Sequence, residues 1–352
     1  VTTSSAPPGS ALAASRVPLG DTGMTLSRVG LGAWSLGSTD WGPQDDTDSI
    51  ATIREAVASG VNWIDTAAAY GLGHSEEVIG RALAALSPHE RPYVFTKCGV
   101  VPDERGLRKV MTPASVRTEL EGSLRRLGVD HIDLYQVHWP GDGKLLAWGP
   151  VTDDPGAPDL STPLEEYWQT MADLRREGKV RAIGLSNHSV DELERAAAIA
   201  PVDAVQPPFS ALDRGTADIL AWCADTGAGA IVYQVLKSGL LSGAFSAERV
   251  AALRETDWRR QAPDFTTGLH HNLAVTEALG EVAARHAVTT AAVAIAWVLA
   301  WPGVTGAIIG ARKPGQSADW AAAAALRLGE DDRQEISRAL RDHVPDAGPV
   351  HP

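Results

Sequence analysis

The chain predicts an α/β fold of the (β/α)8 TIM-barrel class, with an N-terminal β-hairpin and additional C-terminal helices. Three observations lead there. Short apolar runs, each followed by a helical pattern, alternate along the 352 residues often enough to supply eight βα units. No glycine-rich turn joins a strand directly to a helix, as an open doubly wound sheet would require. The glycines of GLGAWSLG, Gly30, Gly32 and Gly37, miss the GxGxxG spacing, and Pro43 rather than a helix follows them. Finally, three successive apolar runs end in Asp65, Lys97 and His138, and a barrel gathers its chemistry at the C-terminal ends of its strands.

Residues 1–14, rich in Ser, Ala and Pro, read as a disordered leader before a single domain over 15–342, with 343–352 as a C-terminal tail. VPLGDTGMTLSRVGLG reads as two short strands around a turn. The first barrel strand is expected at 28–31, and a helix from 45–47 to Gly60. Strand 61–65 precedes a helix at 75–86. Strand 93–97 precedes a helix at 113–127, opened by Thr112 as cap and Pro113 in its first turn. Strand 132–138 leads through a long loop to a helix at 163–178. Strand 180–185 leads to a helix at 190–200, with caps expected at 187–189. Strand 204–206 leads to a helix at 214–226. Strand 228–233 is followed by a long excursion and helices at 273–286 and 290–300. The last strand is expected at 305–309, with closing helices at 314–325 and 330–341.

Bulk properties restrict the functions available. Hydrophobic residues make up 44%, enough for one large core. The net charge is −13, which argues against nucleic acid or an anionic membrane as partner. No apolar run approaches 18 residues, and the N-terminus lacks the pattern of a secretory signal. Two cysteines, Cys98 and Cys223, form no metal-ligand spacing and read as reduced thiols in a cytoplasmic protein. Cys98, directly after Lys97, is read as small filler beside the site, with a nucleophile as its alternative.

The centre of the reading is GVNWIDTAAAYG, residues 60–71. Asp65 ends a buried strand, and burial of an unpartnered polar group costs about 2–7 kcal/mol. A cation is therefore expected beside it, and Lys97 and His138 end the next two strands. A tyrosine titrates near 10, and an adjacent ammonium lowers that value. Asp65, Lys97 and Tyr70 could then make Tyr70 a proton donor, with His138 orienting a carbonyl oxygen. No nucleophile or metal ligand set accompanies them. The chemistry suits a carbonyl that receives hydride from a cofactor. A structural Lys–Asp pair with a packed Tyr and His is the plain alternative.

Six segments, IDTAAAYG, FTKCG, LYQVHW, GLSNHS, VQPPFSALDR and IVYQVLKSGLLSG, occur in this order and resemble the aldo-keto reductase family over about residues 15–342. The resemblance implies a barrel, a nicotinamide cofactor, a small-molecule carbonyl substrate and a catalytic tetrad of Asp65, Tyr70, Lys97 and His138, with Tyr70 as general acid or base. It places Ser186, Asn187 and Gln206 on the carboxamide and Tyr233 against the nicotinamide ring. It assigns the pyrophosphate to the backbone of Gln234, Val235, Leu236, Ser238, Gly239 and Leu240. The adenosine end falls on Ile309, Gly310, Ala311, Arg312, Gln316 and Trp320. Gly32, Ala33 and Trp34 lie near nicotinamide or substrate, and Trp34, Tyr70, His138 and Trp139 border the substrate. Gly310 stands where many relatives carry a lysine for the 2′-phosphate, and Trp320 where an Asn is common. Arg312 and Gln316 are the expected substitutes, which favours NADP over NAD.

The loop 139–161, with Trp139 and Trp148, is expected to shape the substrate pocket, with Trp34 and Trp41 at its mouth. The expected activity is NADP-dependent reduction of an aldehyde, ketone or sugar-like carbonyl. An NAD-dependent sugar dehydrogenase and a non-catalytic, cofactor-sensing binding partner remain as alternatives. The oligomeric state is left open.

Overall fold

The computed structural model describes residues 12–37, 41–146 and 159–351. Eight parallel strands close into a barrel. In chain order they are β1 (Val29–Gly32), β2 (Trp63–Asp65), β3 (Tyr93–Cys98), β4 (Ile132–Val137), β5 (Val180–Ser186), β6 (Ala204–Gln206), β7 (Gly229–Val232) and β8 (Val304–Gly310). Closure runs through β8 and β1, with Ala307 opposite Val29 and Gly310 opposite Gly32. The expected βα units are all present, with ends displaced by a few residues.

The helix starts follow local chemistry. The Thr112 hydroxyl accepts from the Ser115 N–H at 3.3 Å, with Pro113 in the first turn. Ser189 and Glu192 form a reciprocal capping box. Asp45 caps the helix Asp46–Ala58 by accepting from the Thr47 N–H.

The N-terminal hairpin, Val17–Pro18 against Thr25–Leu26, closes the bottom of the barrel. Its Leu19, Met24 and Leu26 are buried with the inward side chains Trp63, Phe95, Leu134, Ala182, Ala204 and Ile231. Trp63 crosses this interior where β1 and β8 carry glycine. A Cβ on Gly30 would lie 2.2 Å from the indole, and one on Gly306 2.9 Å from it. A second, larger cluster joins the outer strand faces to the helices.

Several expectations change. Residues 12–14 are helical and Leu12 is fully buried, so the leader does not extend to 14; the rest of it lies outside the described residues. The tail is partly folded in: Arg214 donates to the carbonyls of Val344, Gly348 and Pro349. The helix expected from 314 starts only at Trp320. Before it, Gln316 accepts from the N–H groups of Arg312 and Lys313, and Glu55 from that of Gly315, which holds the segment in turns. A three-stranded antiparallel sheet, Val100–Asp103, Gly106–Lys109 and Leu145–Leu146, was not anticipated. Of the expected lid, 147–158, including Trp148, lies outside the described residues. No single described helix is long and apolar enough to cross a membrane.

Candidate active site

Asp65 ends β2 with 3% of its surface exposed, and Lys97 in β3 has 1% exposed. Two such buried charges require each other. The Lys97 ammonium donates to Asp65 Oδ1 at 2.6 Å and to the Thr66 carbonyl at 2.9 Å. Its third direction points to the Tyr70 hydroxyl, 3.4 Å away. Tyr70 opens a short 3-10 turn, Tyr70–Gly73, in which Gly71 has φ +59°. A Cβ there would lie 2.0 Å from the Gly37 carbonyl oxygen, so only glycine allows this turn to seat. His138 follows β4, and its ring meets that of Tyr70 edge-on at 5.6 Å. The four residues expected to act together are therefore brought together.

Burial pushes the Tyr70 hydroxyl above its ordinary value and outweighs the opposing pull of Lys97. This corrects the expectation of a lowered tyrosine: the phenol is held neutral, with its proton in place. Burial also works against the Lys97 charge, but the Asp65 carboxylate and Tyr70 overcome it and hold the ammonium above its ordinary value. Burial, reinforced by Lys97, holds His138 well below its ordinary range, so its ring is neutral near pH 7. Burial likewise raises the Cys98 thiol well above its usual value, which removes the nucleophile alternative.

Gln136 went unremarked in the sequence. It is fully buried, and its amide donates to Asp65 Oδ2 at 3.3 Å. Gln206 donates to the same oxygen at 2.8 Å and to Gln136 Oε1 at 3.1 Å. A carboxylate only accepts, so Asp65 fixes which end of the Gln206 amide faces it. Its only sequence signal is a polar residue inside an apolar strand.

A cavity of about 480 Å3 opens over these groups. Gly32, Ala33, Trp34, Asp65, Tyr70, His138 and Trp139 border its inner end with Ser186, Asn187, Gln206 and Tyr233. Asn187, at φ +62°, donates to the His138 carbonyl and accepts from the Tyr233 hydroxyl at 2.8 Å. Gln234, Val235, Leu236, Ser238 and Gly239 line the cavity from the segment after β7. Here Gln234, Lys237, Ser238 and Gly239 all have positive φ, which turns backbone groups along the cleft. Ile309, Gly310 and Ala311 line it from the end of β8, beside Gly32, and Arg312 and Gln316 line it from the segment that follows. Leu240 and Trp320 are buried and do not border the cavity, so Trp320 is not placed to meet an adenine.

Other lining residues were missed. Leu107 and Leu146 come from the unanticipated sheet. Arg249 and Arg259 come from the excursion after β7. Arg259 pairs with Asp257 at 2.6 Å and lies over the Trp41 ring, while Trp258 stacks on Trp34 at 6.4 Å. The length of that excursion was its only sequence signal. Among the described residues no group of three or more His, Cys, Asp or Glu could hold a metal ion.

A family model described as the aldo/keto reductase family matches residues 28–341. The chain is 34% identical over 339 residues to the aldo-keto reductase YhdN of Bacillus subtilis, covering 95% of each. It is 34% identical to the NADH-specific methylglyoxal reductase of Escherichia coli, covering 92% of this chain and 99% of that one. Among solved structures, the glycerol dehydrogenase AKR11B4 of Gluconobacter oxydans superposes with a TM-score of 0.81 at 34% identity, over 97% of this chain and 98% of that chain.

A parallel barrel with a buried Lys–Asp pair under a tyrosine at its rim is in keeping with the oxidoreductases among these relatives. The chain belongs to the aldo-keto reductase family, whose members act on small-molecule carbonyl compounds with nicotinamide cofactors.

Proposed function

We propose that the chain reduces the carbonyl of a small aldehyde, ketone or sugar-like compound with NADPH, and that Tyr70 delivers the proton. The observation that carries this is the contact sequence from Asp65 through Lys97 to Tyr70, set at the inner end of the cavity. The residues fit such a cofactor. Amides, Tyr233, a backbone run with positive φ, and the arginines Arg249, Arg259 and Arg312 all line the one cavity.

A nicotinamide dinucleotide held by Ser186, Asn187, Gln206 and Tyr233 would supply hydride for the carbonyl carbon. The neutral Tyr70 phenol gives its proton to the carbonyl oxygen, and Lys97, kept charged by Asp65, stabilises the phenolate left behind. Neutral His138 donates a hydrogen bond that orients the oxygen. In the reverse direction the phenolate accepts the alcohol proton. Trp34 and Trp139, with Leu107 and Leu146, form an apolar wall for the substrate.

The preference for NADPH rests on a group of neighbouring guanidinium cations. Arg254 packs against Gly42, where an added Cβ would lie 2.0 Å from its guanidinium. Burial first, then Arg254 and Arg259, hold Arg312 below its ordinary value, and Arg259 and Arg312 border the cavity. One observation favours NADH as a second reading. The Arg312 guanidinium already donates to Gln44 and to the carbonyls of Trp41, Gly42 and Pro43, which leaves little of the fork for a phosphate. The expected location is the cytoplasm, in keeping with two buried free thiols.

Fluorescence titration with NADPH and NADH, alongside turnover of a carbonyl panel that includes methylglyoxal and an aromatic aldehyde, tests the reading. Tyr70→Phe is expected to keep cofactor affinity and lose at least about 100-fold in kcat. Arg254→Ala is expected to weaken NADPH binding and spare NADH. Cofactor binding without turnover of any carbonyl would favour a sensor over an enzyme. Equal loss for both cofactors in Arg254→Ala would remove the case for NADPH.

A further inference from the structure

One ionisable group beside the tetrad has no part in the chemistry above. Glu119 sits in the helix Pro113–Leu127, half-buried, with its carboxylate against the backbone just beyond Lys97. The Gly99 N–H donates to both of its oxygens, at 3.2 Å to Oε1 and 3.0 Å to Oε2. The Ser115 hydroxyl donates to Oε1 at 3.2 Å. At the other end of the same peptide unit, the Cys98 carbonyl accepts the backbone N–H of His138 at 2.9 Å. One peptide, Cys98–Gly99, therefore links Glu119 to the backbone of His138. It has little room to turn: Gly99 has φ +89°, and a Cβ there would meet Met111 Sδ at 2.2 Å. A charged acceptor on a peptide N–H polarises the unit and strengthens the bond made by its carbonyl.

We propose that Glu119 is a positioning residue, which acts through the Cys98–Gly99 peptide to set His138 in the reducing site. This deepens the reading of the cavity as a carbonyl reductase site and rests on it. The ionised carboxylate accepts with both oxygens, whereas the protonated acid turns one of them into a donor that cannot face an N–H. The groups facing Glu119 are Glu76 and Arg126, themselves paired at 2.7 Å, and Cys98 and Tyr135 of the adjoining strands. Burial, with a smaller contribution from Glu76, outweighs the Gly99 and Ser115 donors and raises Glu119 to about 7. The switch between its two forms then falls at neutral pH.

The test follows the amide shifts of Gly99 and His138 in isotope-labelled protein from about pH 5.5 to 8.5, with Glu119→Gln and Glu119→Ala beside the wild type. Both amides are expected to move with one midpoint near 7 in the wild type and to stay flat in Glu119→Gln. Glu119→Gln, which keeps an oxygen for Gly99, is expected to hold kcat within about threefold, and Glu119→Ala to lose about tenfold at unchanged KM. A His138 amide that stays still while that of Gly99 moves overturns the proposal. So does a folded Glu119→Ala protein with wild-type kcat. The shift measurement needs no turnover: if no carbonyl is reduced, the functional reading falls while the shared midpoint still decides the linkage.

Discussion

Asp65→Asn removes the acid that holds Lys97 in its charged form. Asp65 accepts from three donors: Lys97 at 2.6 Å, Gln206 at 2.8 Å and Gln136 at 3.3 Å. Asparagine keeps the volume, supplies one oxygen and turns an NH2 toward groups that themselves donate. Removing one partner of a buried ion pair costs about 3–5 kcal/mol, because the other charge is left without compensation. With Asp65 gone, burial governs Lys97, and its folded pKa drops below the unfolded value near 10.4. The variant's stability then rises with pH up to about that value, because its unfolded state binds the extra proton. In the wild type the raised Lys97 pKa acts the other way: its contribution is full below the unfolded value and is lost as pH rises through the folded one. The difference between the two proteins should therefore narrow as pH rises toward about 10. Urea unfolding of wild type, Asp65→Asn, Lys97→Met and the double variant, at neutral and alkaline pH, measures this. The double variant should be more stable than the summed single effects by at least about 1.5 kcal/mol. Additivity within about 0.5 kcal/mol would refute the argument. In parallel, kcat of Asp65→Asn should fall about 100-fold or more, because Tyr70 loses its supporting charge.

Other perturbations probe neighbouring parts of the site. Gly71→Ala drives a methyl into the Gly37 carbonyl at a positive φ, and is expected to cost about 1–3 kcal/mol and displace Tyr70; thermal unfolding and kcat should fall together, and a wild-type kcat would count against the role of this turn. Gln136→Leu strips one donor from Asp65 Oδ2 and frees the Gln206 amide, with an expected loss of about 1–3 kcal/mol by urea titration and weaker cofactor binding by fluorescence. His138 is neutral in the fold and chargeable when unfolded, so stability should decline as pH falls below about 6.5. His138→Gln, neutral at every pH, should flatten that part of the stability curve, and an unchanged slope would assign it to other groups.

The sequence carried much of the barrel because parallel strands buried on both faces read as apolar runs, and because Thr112, Pro113 and Ser189 signal helix starts locally. It grouped Asp65, Lys97 and His138 for a related reason: polar residues at the ends of successive apolar runs fall at one end of the barrel. The small sheet built from 100–109 and 145–146 was missed because its strands are short and partly exposed, and the third of them, Leu145–Leu146, joins the hairpin from a distant part of the chain. The sign of the Tyr70 shift was misjudged because charge proximity follows from strand ends, whereas the degree of burial emerges only from the assembled barrel. Arg312 borders the cavity, but nothing local could show that its donors would be taken up by 41–44. Gln136 and Glu119 act on groups brought close only by folding, and single-sequence reading has no purchase on such pairs.

Arg214 has consequences for how the chain is made. Its side chain is fully enclosed, and carbonyls of Val344, Gly348 and Pro349 are among the acceptors of its guanidinium. While a ribosome is still translating, those acceptors do not yet exist, and the cation has to stay hydrated. Full enclosure of Arg214, eight residues past the end of β6, therefore waits for residues 344–349 to emerge and reach it.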